Sequence, residues 1–199
     1  MERPDRTFME EMEALEAAYL ASDDPIRQSG FSGGPERWQA ERRPILEAVN
    51  RSGTFLDVGC ANGYLLECLV GWAADEGIEL TPHGLDLGSG LIERARERLP
   101  AHADNLHHGD VWMWQPSRTY DYVYTLSHLA PVGLLGDLLR RLRTWVTPGG
   151  RLIVGDYGSR SRGIAPQDMG MVLTTLGFAV AGTSMGGDPP LVSFAWVEC

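Results

Sequence analysis

The sequence predicts an α/β fold with helices on both faces of a mostly parallel sheet, and three observations carry that expectation. After residue 50, short apolar runs alternate with helical patterns, which is the signature of strand–helix–strand units. The stretch Thr54-Phe-Leu-Asp-Val-Gly-Cys-Ala-Asn-Gly-Tyr-Leu-Leu66 passes from an apolar, β-branched run through small residues into a helix. Asp57, Asp86 and Asp110 then fall at the ends of successive strands, on the edge of the sheet where α/β folds bind ligands.

Taken in order, the chain opens with Phe8, Met12, Leu15 and Tyr19 on one stripe, an amphipathic helix over residues 8–20 with acids on its other face. Asp23-Asp24-Pro25 ends that helix or caps the next segment, and Ile26 to Pro35 reads as a glycine-rich loop around Phe31. A second helix is expected from Glu36 to Asn50, kinked by Pro44. Together, residues 1–50 read as a helical lid ahead of a single globular unit, residues 51–199.

The first strand ends at the glycine turn, and Tyr64 to Ala74 comes next as a helix apolar on most sides. Pro82 to Leu87 gives the second strand, and Ser89 to Leu99 a helix with Leu91, Ile92, Ala95 and Leu99 inward. Asn105 to Val111 and Tyr120 to Leu126 are strands three and four. Pro131 opens a leucine-rich helix; Pro148-Gly149-Gly150 is a turn, and Arg151 to Gly155 a fifth strand too apolar for a solvated face. Asp168 to Leu176 is the last helix, stopped by Gly177. Phe178 to Thr183 and Leu191 to Val197 are two closing strands, and the short loop between them makes an antiparallel hairpin.

Composition narrows the function classes. The chain has 199 residues, 43% of them apolar and 22% charged, values of a globular domain. No apolar run approaches the roughly 20 residues of a membrane span, and no signal-peptide core precedes the first helix, so a soluble, cytoplasmic protein is expected. A net charge of −10 opposes attraction to nucleic acid. All 17 basic residues are arginine, which excludes a P-loop lysine and a Schiff-base lysine. Cys60, Cys68 and Cys199 show neither disulfide nor zinc-site spacing. His107 and His108 point to opposite faces of a strand and make a poor metal pair. No metal is indicated.

The turn is where chemistry is expected. Its small residues fall at every second place, Asp57-x-Gly59-x-Ala61-x-Gly63, unlike the G-x-G-x-x-G of dinucleotide sites. Backbone without side chains lets a ligand approach closely. An acid ending strand two suits ribose hydroxyls, Asp110 with the N–H of Val111 suits the edge of an adenine, and Asp57 with the turn carbonyls suits an ammonium. An adenosine, an amino acid and a sulfonium describe S-adenosylmethionine.

Phe55-Leu-Asp-Val-Gly-Cys-Ala-Asn-Gly63 resembles motif I of the class I S-adenosylmethionine-dependent methyltransferases, with Ala61 in place of the commoner middle glycine. Gly84-Leu-Asp86 resembles motif II, Gly109-Asp-Val111 motif III, Tyr120-Asp-Tyr-Val123 the strand-four motif, and Thr147-Pro-Gly-Gly-Arg-Leu-Ile153 the turn into strand five. The resemblance implies a Rossmann-like three-layer sandwich whose seven strands are ordered 3-2-1-4-5-7-6 with the seventh antiparallel. It implies a cofactor site at Asp57, Gly59, Cys60, Ala61, Gly63, Asp86, Leu87, Asp110, Val111 and Leu126, with S-adenosylhomocysteine as product.

Beyond strand four stands Leu126-Ser-His-Leu-Ala130, without the Asn/Asp-Pro-Pro-aromatic motif of the family's amino-methyltransferases of adenine bases and glutamine side chains. His128 is the candidate base, since a neutral imidazole can take the proton of a hydroxyl or ammonium nucleophile, with a loop residue that does no chemistry as the alternative. Phe31, Trp38 and Tyr157 are the candidate walls of an acceptor pocket, with core packing as the alternative for each. Arg27, Arg37 or Arg42 could bind a carboxylate, exposure being the default for each. The leading expectation is methyl transfer to oxygen or nitrogen of a small molecule, with no nucleic acid or membrane partner. The alternatives are a non-catalytic protein binding S-adenosylmethionine or S-adenosylhomocysteine, a protein or RNA methyltransferase and, at the level of fold, a nicotinamide oxidoreductase.

Overall fold

The computed structural model describes residue 4 and residues 6–199; the first residues of the expected lid, 1–3 and 5, lie outside them. Seven strands form one sheet: β1 (Gly53–Val58), β2 (Leu80–Asp86), β3 (Leu106–His108), β4 (Tyr120–Leu126), β5 (Val146–Tyr157), β6 (Gly182–Gly186) and β7 (Val192–Glu198). Their order is β3-β2-β1-β4-β5-β7-β6. β1 to β5 run parallel, and β7 is antiparallel to both neighbours. This is the order that the sequence resemblance implies.

Alternate residues of the strands enter two separate cores, the consequence of a period of two in a sheet covered on both faces. Phe55, Tyr122, Tyr124, Ile153 and Phe194 pack under α4 (Tyr64–Asp75), α5 (Ser89–Arg98) and the N-terminal segment. Leu56, Val58, Val123, Leu152 and Val154 pack under α6 (Leu135–Arg143) and α7 (Met169–Thr175). At the edge remote from the glycine turn, the Tyr120-Asp-Tyr-Val123 motif acts as a clasp. The Asp121 carboxylate accepts from the N–H and hydroxyl of Thr54 at 2.9 and 3.0 Å. The fully buried Tyr122 hydroxyl bonds Asn50 and Arg51.

Ahead of β1 the structure departs from the expectations drawn from sequence. The first helix, α1, is Arg6–Leu20. A one-turn helix, α2 (Pro25–Gln28), stands inside the expected loop, because the Asp24 carboxylate caps it by accepting from the N–H of Ile26 at 2.9 Å. The second expected helix divides into α3 (Pro35–Arg42) and a 3-10 turn (Arg43–Ala48), since Pro44 has no N–H to continue an α-helix. Two boundaries move at the other end. β5 begins at Val146 and carries the Pro148-Gly149-Gly150 turn within it, Gly149 at φ 75°. β6 begins only at Gly182, leaving Phe178 buried in the core but outside the ladder.

Candidate active site

The site is built from the turn after β1. The N–H groups of Gly59 and Cys60 both donate to the Leu85 carbonyl of β2, at 2.8 and 3.2 Å. Three alternate residues then adopt left-handed backbone, with φ 86° at Gly59, 46° at Ala61 and 72° at Gly63. Only Ala61 bears a side chain there, a conformation costing an L-residue roughly 1–2 kcal/mol. Asp86 holds it: its Oδ2 accepts from the Ala61 N–H at 2.7 Å, and its Oδ1 from the Gly88 N–H at 2.8 Å.

A cavity of about 780 Å³ lies over this edge of the sheet. Its cofactor-side wall includes Gly59, Ala61, Asp86, Leu87, Asp110, Val111 and Leu126, and its farther wall includes Phe31, His128 and Tyr157. Of the residues expected at the site, Asp57, Cys60, Gly63 and Trp38 do not line it. Asp57, 2% exposed, lies behind the turn. Cys60 is buried among the apolar side chains beneath it. Gly63 backs onto Ala95 of α5. Trp38 is buried between Phe31 and Tyr64 and donates its indole N–H to the Cys68 sulfur at 3.4 Å; it is placed as a packing residue.

The electrostatics of the two ends differ. Burial, reinforced by the charge of Asp86, pushes Asp57 up to about 8. Asp86 is also raised by burial, against the hydrogen bonds from Gly88 and Ala61. Among the described residues no arginine or histidine forms an ion pair with either acid. An enclosed Asp86 carboxyl lining the cavity, bare backbone beside it and the buried Asp57 behind the turn fit a ligand that brings hydroxyls and an ammonium, so this donor set fits S-adenosylmethionine. Asp110 shapes its own loop, its Oδ1 accepting from the Trp112 N–H at 2.8 Å. Arg141 props the same loop by donating to the carbonyls of Val111 and Trp114.

His128 stands in a 3-10 turn directly after β4 (Ser127–Leu129). It is open to the cavity yet enclosed by protein; that enclosure lowers its pKa, and the nearby carboxylate of Asp156 opposes the shift. Asp156, next to last in β5, is fixed by the Ser127 hydroxyl and by the Gln167 N–H at 2.8 Å. Among the described residues no three His, Cys, Asp or Glu side chains converge as metal ligands would.

Three features are not legible in the sequence. Glu16 of α1 reaches across to accept from the Gly90 N–H at 2.6 Å, so α1 covers the cavity beside Asp86. Asn62 is buried in the turn, donating to the Pro25 carbonyl at 3.0 Å and the Gln28 side chain at 3.1 Å, and ties the N-terminal segment to motif I. Arg160 and Arg162 line the cavity from the loop after β5. Asn62 leaves only the fact of a polar residue among the small ones after Asp57 as a local trace; its partners Pro25 and Gln28 are not to be read from it.

Sheet order, glycine turn and acid-tipped strands are those of the class I, Rossmann-like fold of S-adenosylmethionine-dependent methyltransferases. The sequence agrees: residues 32–180 match a family described as a methyltransferase domain, and the chain belongs to that family. Trans-aconitate 2-methyltransferase of Paracidovorax citrulli is 32% identical over 126 residues, covering 59% of this chain and 46% of that protein. Malonyl-[acyl-carrier protein] O-methyltransferase of Priestia megaterium is 26% identical over 110 residues, covering 55% and 39%. The matched stretches thus span less than half the length of these relatives. The N-methyltransferase NodS of Bradyrhizobium japonicum WM9, solved with S-adenosyl-L-homocysteine, superposes with a TM-score of 0.70 over 98% of both chains at 18% identity, a likeness of fold.

Proposed function

We propose that this chain transfers a methyl group from S-adenosylmethionine to an oxygen or nitrogen of a small-molecule acceptor. The observation that carries the reading is one cavity shared by the cofactor-type wall, Gly59, Ala61, Asp86 and Asp110, and a second wall with Phe31, His128 and Tyr157. A transferase needs both partners in one enclosure, with water kept from the reacting atoms. The two relatives, named for acid acceptors, support an acceptor of small size or on a small carrier.

When bound, S-adenosylmethionine supplies an electrophilic methyl on a sulfonium. The chain's own groups do the rest. The bare backbone of Gly59 and the small side chain of Ala61 admit the amino acid moiety, and Asp57 behind the turn has a raised pKa that an adjacent ammonium would lower; Asp86 takes ribose hydroxyls with its remaining lone pairs. Asp110 and the Val111 N–H meet the adenine edge, while Leu87 and Leu126 exclude water. His128, kept neutral by its enclosure, accepts a proton at a ring nitrogen when the nucleophile carries one. Residues up to about 50 act as the lid, with α1 closing over Asp86 through Glu16. No helix among the described residues is long and apolar enough to cross a membrane; cytoplasmic residence and the absence of a nucleic-acid partner belong to this proposal.

Calorimetric titration with S-adenosylmethionine and S-adenosylhomocysteine, with NAD as control, tests the site. Micromolar binding of the first two and none of NAD is expected, followed by transfer of labelled methyl in an acceptor screen. Binding without transfer to any acceptor class would favour the non-catalytic alternative, and silence with both adenosyl ligands would overturn the assignment.

A further inference from the structure

The acceptor end of the cavity is positively charged, although the chain carries a net charge of −10. Arg37, Arg42, Arg160 and Arg162 line it and outnumber its two acids, Glu41 and Asp156, whereas Glu16, Asp86 and Asp110 line the end formed by β2 and β3. The sheet order separates the two groups, because Arg42 lies against Tyr157 at the end of β5, with β1 and β4 between.

Arg42 is the centre of the cluster. Its side chain is 5% exposed, and its guanidinium lies 3.7 Å from the ring centroid of Tyr157, 4.8 Å from Phe31 and 4.9 Å from Trp38. Aromatic rings around the flat group leave its N–H edge to bond. A guanidinium out of water requires a counter-charge. The neighbouring acid, Glu41, supplies half of one. Its Oε2 is 3.4 Å from Arg42, and its Oε1 is held at 2.5 Å by Arg37, so one carboxylate serves two cations. Arg160 donates to the Asp188 carbonyl at 3.0 Å and Arg162 to the Ser159 hydroxyl at 3.2 Å, both neutral partners. Among the described residues neither makes an ion pair.

We propose that the methyl acceptor is a small carboxylic acid, one carboxylate of which docks on the N–H edge of Arg42 while Arg160 and Arg162 close on it from the rim. The proposal rests on the methyltransferase reading and adds the substrate class to it. A planar carboxylate matches the guanidinium fork in two parallel hydrogen bonds. Phosphate pairs with the same fork, but its sites commonly add N–H groups at a helix start. The helix start that borders this cavity, at Gly88 of α5, lies at the opposite end, where the Asp86 and Glu16 carboxylates already take the Gly88 and Gly90 N–H groups.

The test is calorimetry on the protein saturated with S-adenosylhomocysteine, titrated with tricarballylate, succinate and benzoate, and with inorganic phosphate and tricarballylamide as comparisons. At least one carboxylate is expected to bind, at least tenfold tighter than phosphate, with the uncharged amide silent. Arg42→Gln and Arg160→Gln should each weaken that carboxylate at least tenfold and leave S-adenosylhomocysteine affinity within twofold. Arg160 is exposed, so its variant keeps the test open if Arg42→Gln does not fold. No binding by any of the carboxylates, equal binding in the Arg160 variant, or tighter binding of phosphate would overturn the proposal while the methyltransferase reading stands. Failure of S-adenosylhomocysteine itself to bind the unaltered protein would overturn both.

Discussion

The backbone N–H of Ala61 donates a 2.7 Å hydrogen bond to Oδ2 of Asp86. That bond joins the turn after β1 to the acid that ends β2 and stabilises a left-handed residue that is not glycine. Asp86 therefore has two duties, one toward the proposed ribose and one toward the turn. Asp86→Ala is expected to weaken S-adenosylhomocysteine binding by about 1–3 kcal/mol, the range for stranding buried polar partners, and also to lower the thermal unfolding midpoint of the unliganded protein. Calorimetry and a melting curve read the two separately. A variant with unchanged affinity would remove Asp86 from the ribose role, and an unchanged midpoint would remove it from the turn.

Gly59 is constrained twice. Its φ of 86° disfavours any side chain, and an added Cβ would stand 2.7 Å from Leu129 Cδ1, on the loop that carries His128. Gly59→Val should lose at least the roughly 1–2 kcal/mol of left-handed strain and reduce cofactor binding further by filling the approach and pushing Leu129 into the cavity. Urea unfolding and calorimetry measure both; a stable variant that still binds would mean that the ligand does not pass over this turn.

His128→Ala should bind S-adenosylhomocysteine as before and turn over more slowly at neutral pH. His128 is open to the cavity, and the protein around it displaces enough water to lower its pKa below the ordinary value of 6.5 against the charge of Asp156, so the imidazole is neutral at pH 7 and is protonated only on the acid side. The rate of the parent protein should fall as pH drops below that region, and the variant should lack this limb. Matching pH profiles would leave His128 without a role as base.

Asp57 couples stability to pH. Its folded-state pKa is raised to about 8 from 3.8, through burial first and Asp86 second. The folded protein thus keeps a proton that the unfolded chain releases, and stability falls as pH rises from about 4 to about 8. Asp57→Asn, uncharged throughout, should lack this loss. The difference in melting temperature, variant minus parent, is expected to grow in the variant's favour between pH 5 and pH 8; a constant difference would show that Asp57 is ionised in the folded state.

Trp38 separates packing from binding. It is buried, ringed by Phe31 and Tyr64, and outside the cavity wall. Trp38→Ala should destabilise the protein by about 3–5 kcal/mol, as large core truncations do, seen in urea unfolding. A small loss would return it to the substrate wall.

Much of this architecture is legible in the chain itself. Parallel strands buried on both faces must be continuous apolar runs, and Phe55 to Val58, Tyr120 to Leu126 and Arg151 to Gly155 read as such from their residues alone. The spacing of Asp57, Gly59, Ala61 and Gly63 announces the turn because only small residues tolerate its backbone. These are local rules, in which each residue's neighbours in sequence decide its conformation.

Tertiary structure decided what distant residues do to each other. Arg42 reads from sequence as one of three arginines that could bind a carboxylate, with exposure as the default; it is buried because Tyr157, more than a hundred positions away, brings an aromatic face to it. Trp38 and Tyr157, both candidate pocket walls, fall on opposite sides of the cavity boundary through the packing of α3 against Phe31 and Tyr64. Glu16 reaches Gly90 across the fold, and the late start of β6 obeys the register that β7 imposes on Gly182 and Trp196. Pattern determined the scaffold and the turn, since backbone conformation is set within a few residues. Long-range burial and charge pairing determined which side chains face the cavity, since those energies exist only once the sheet has closed.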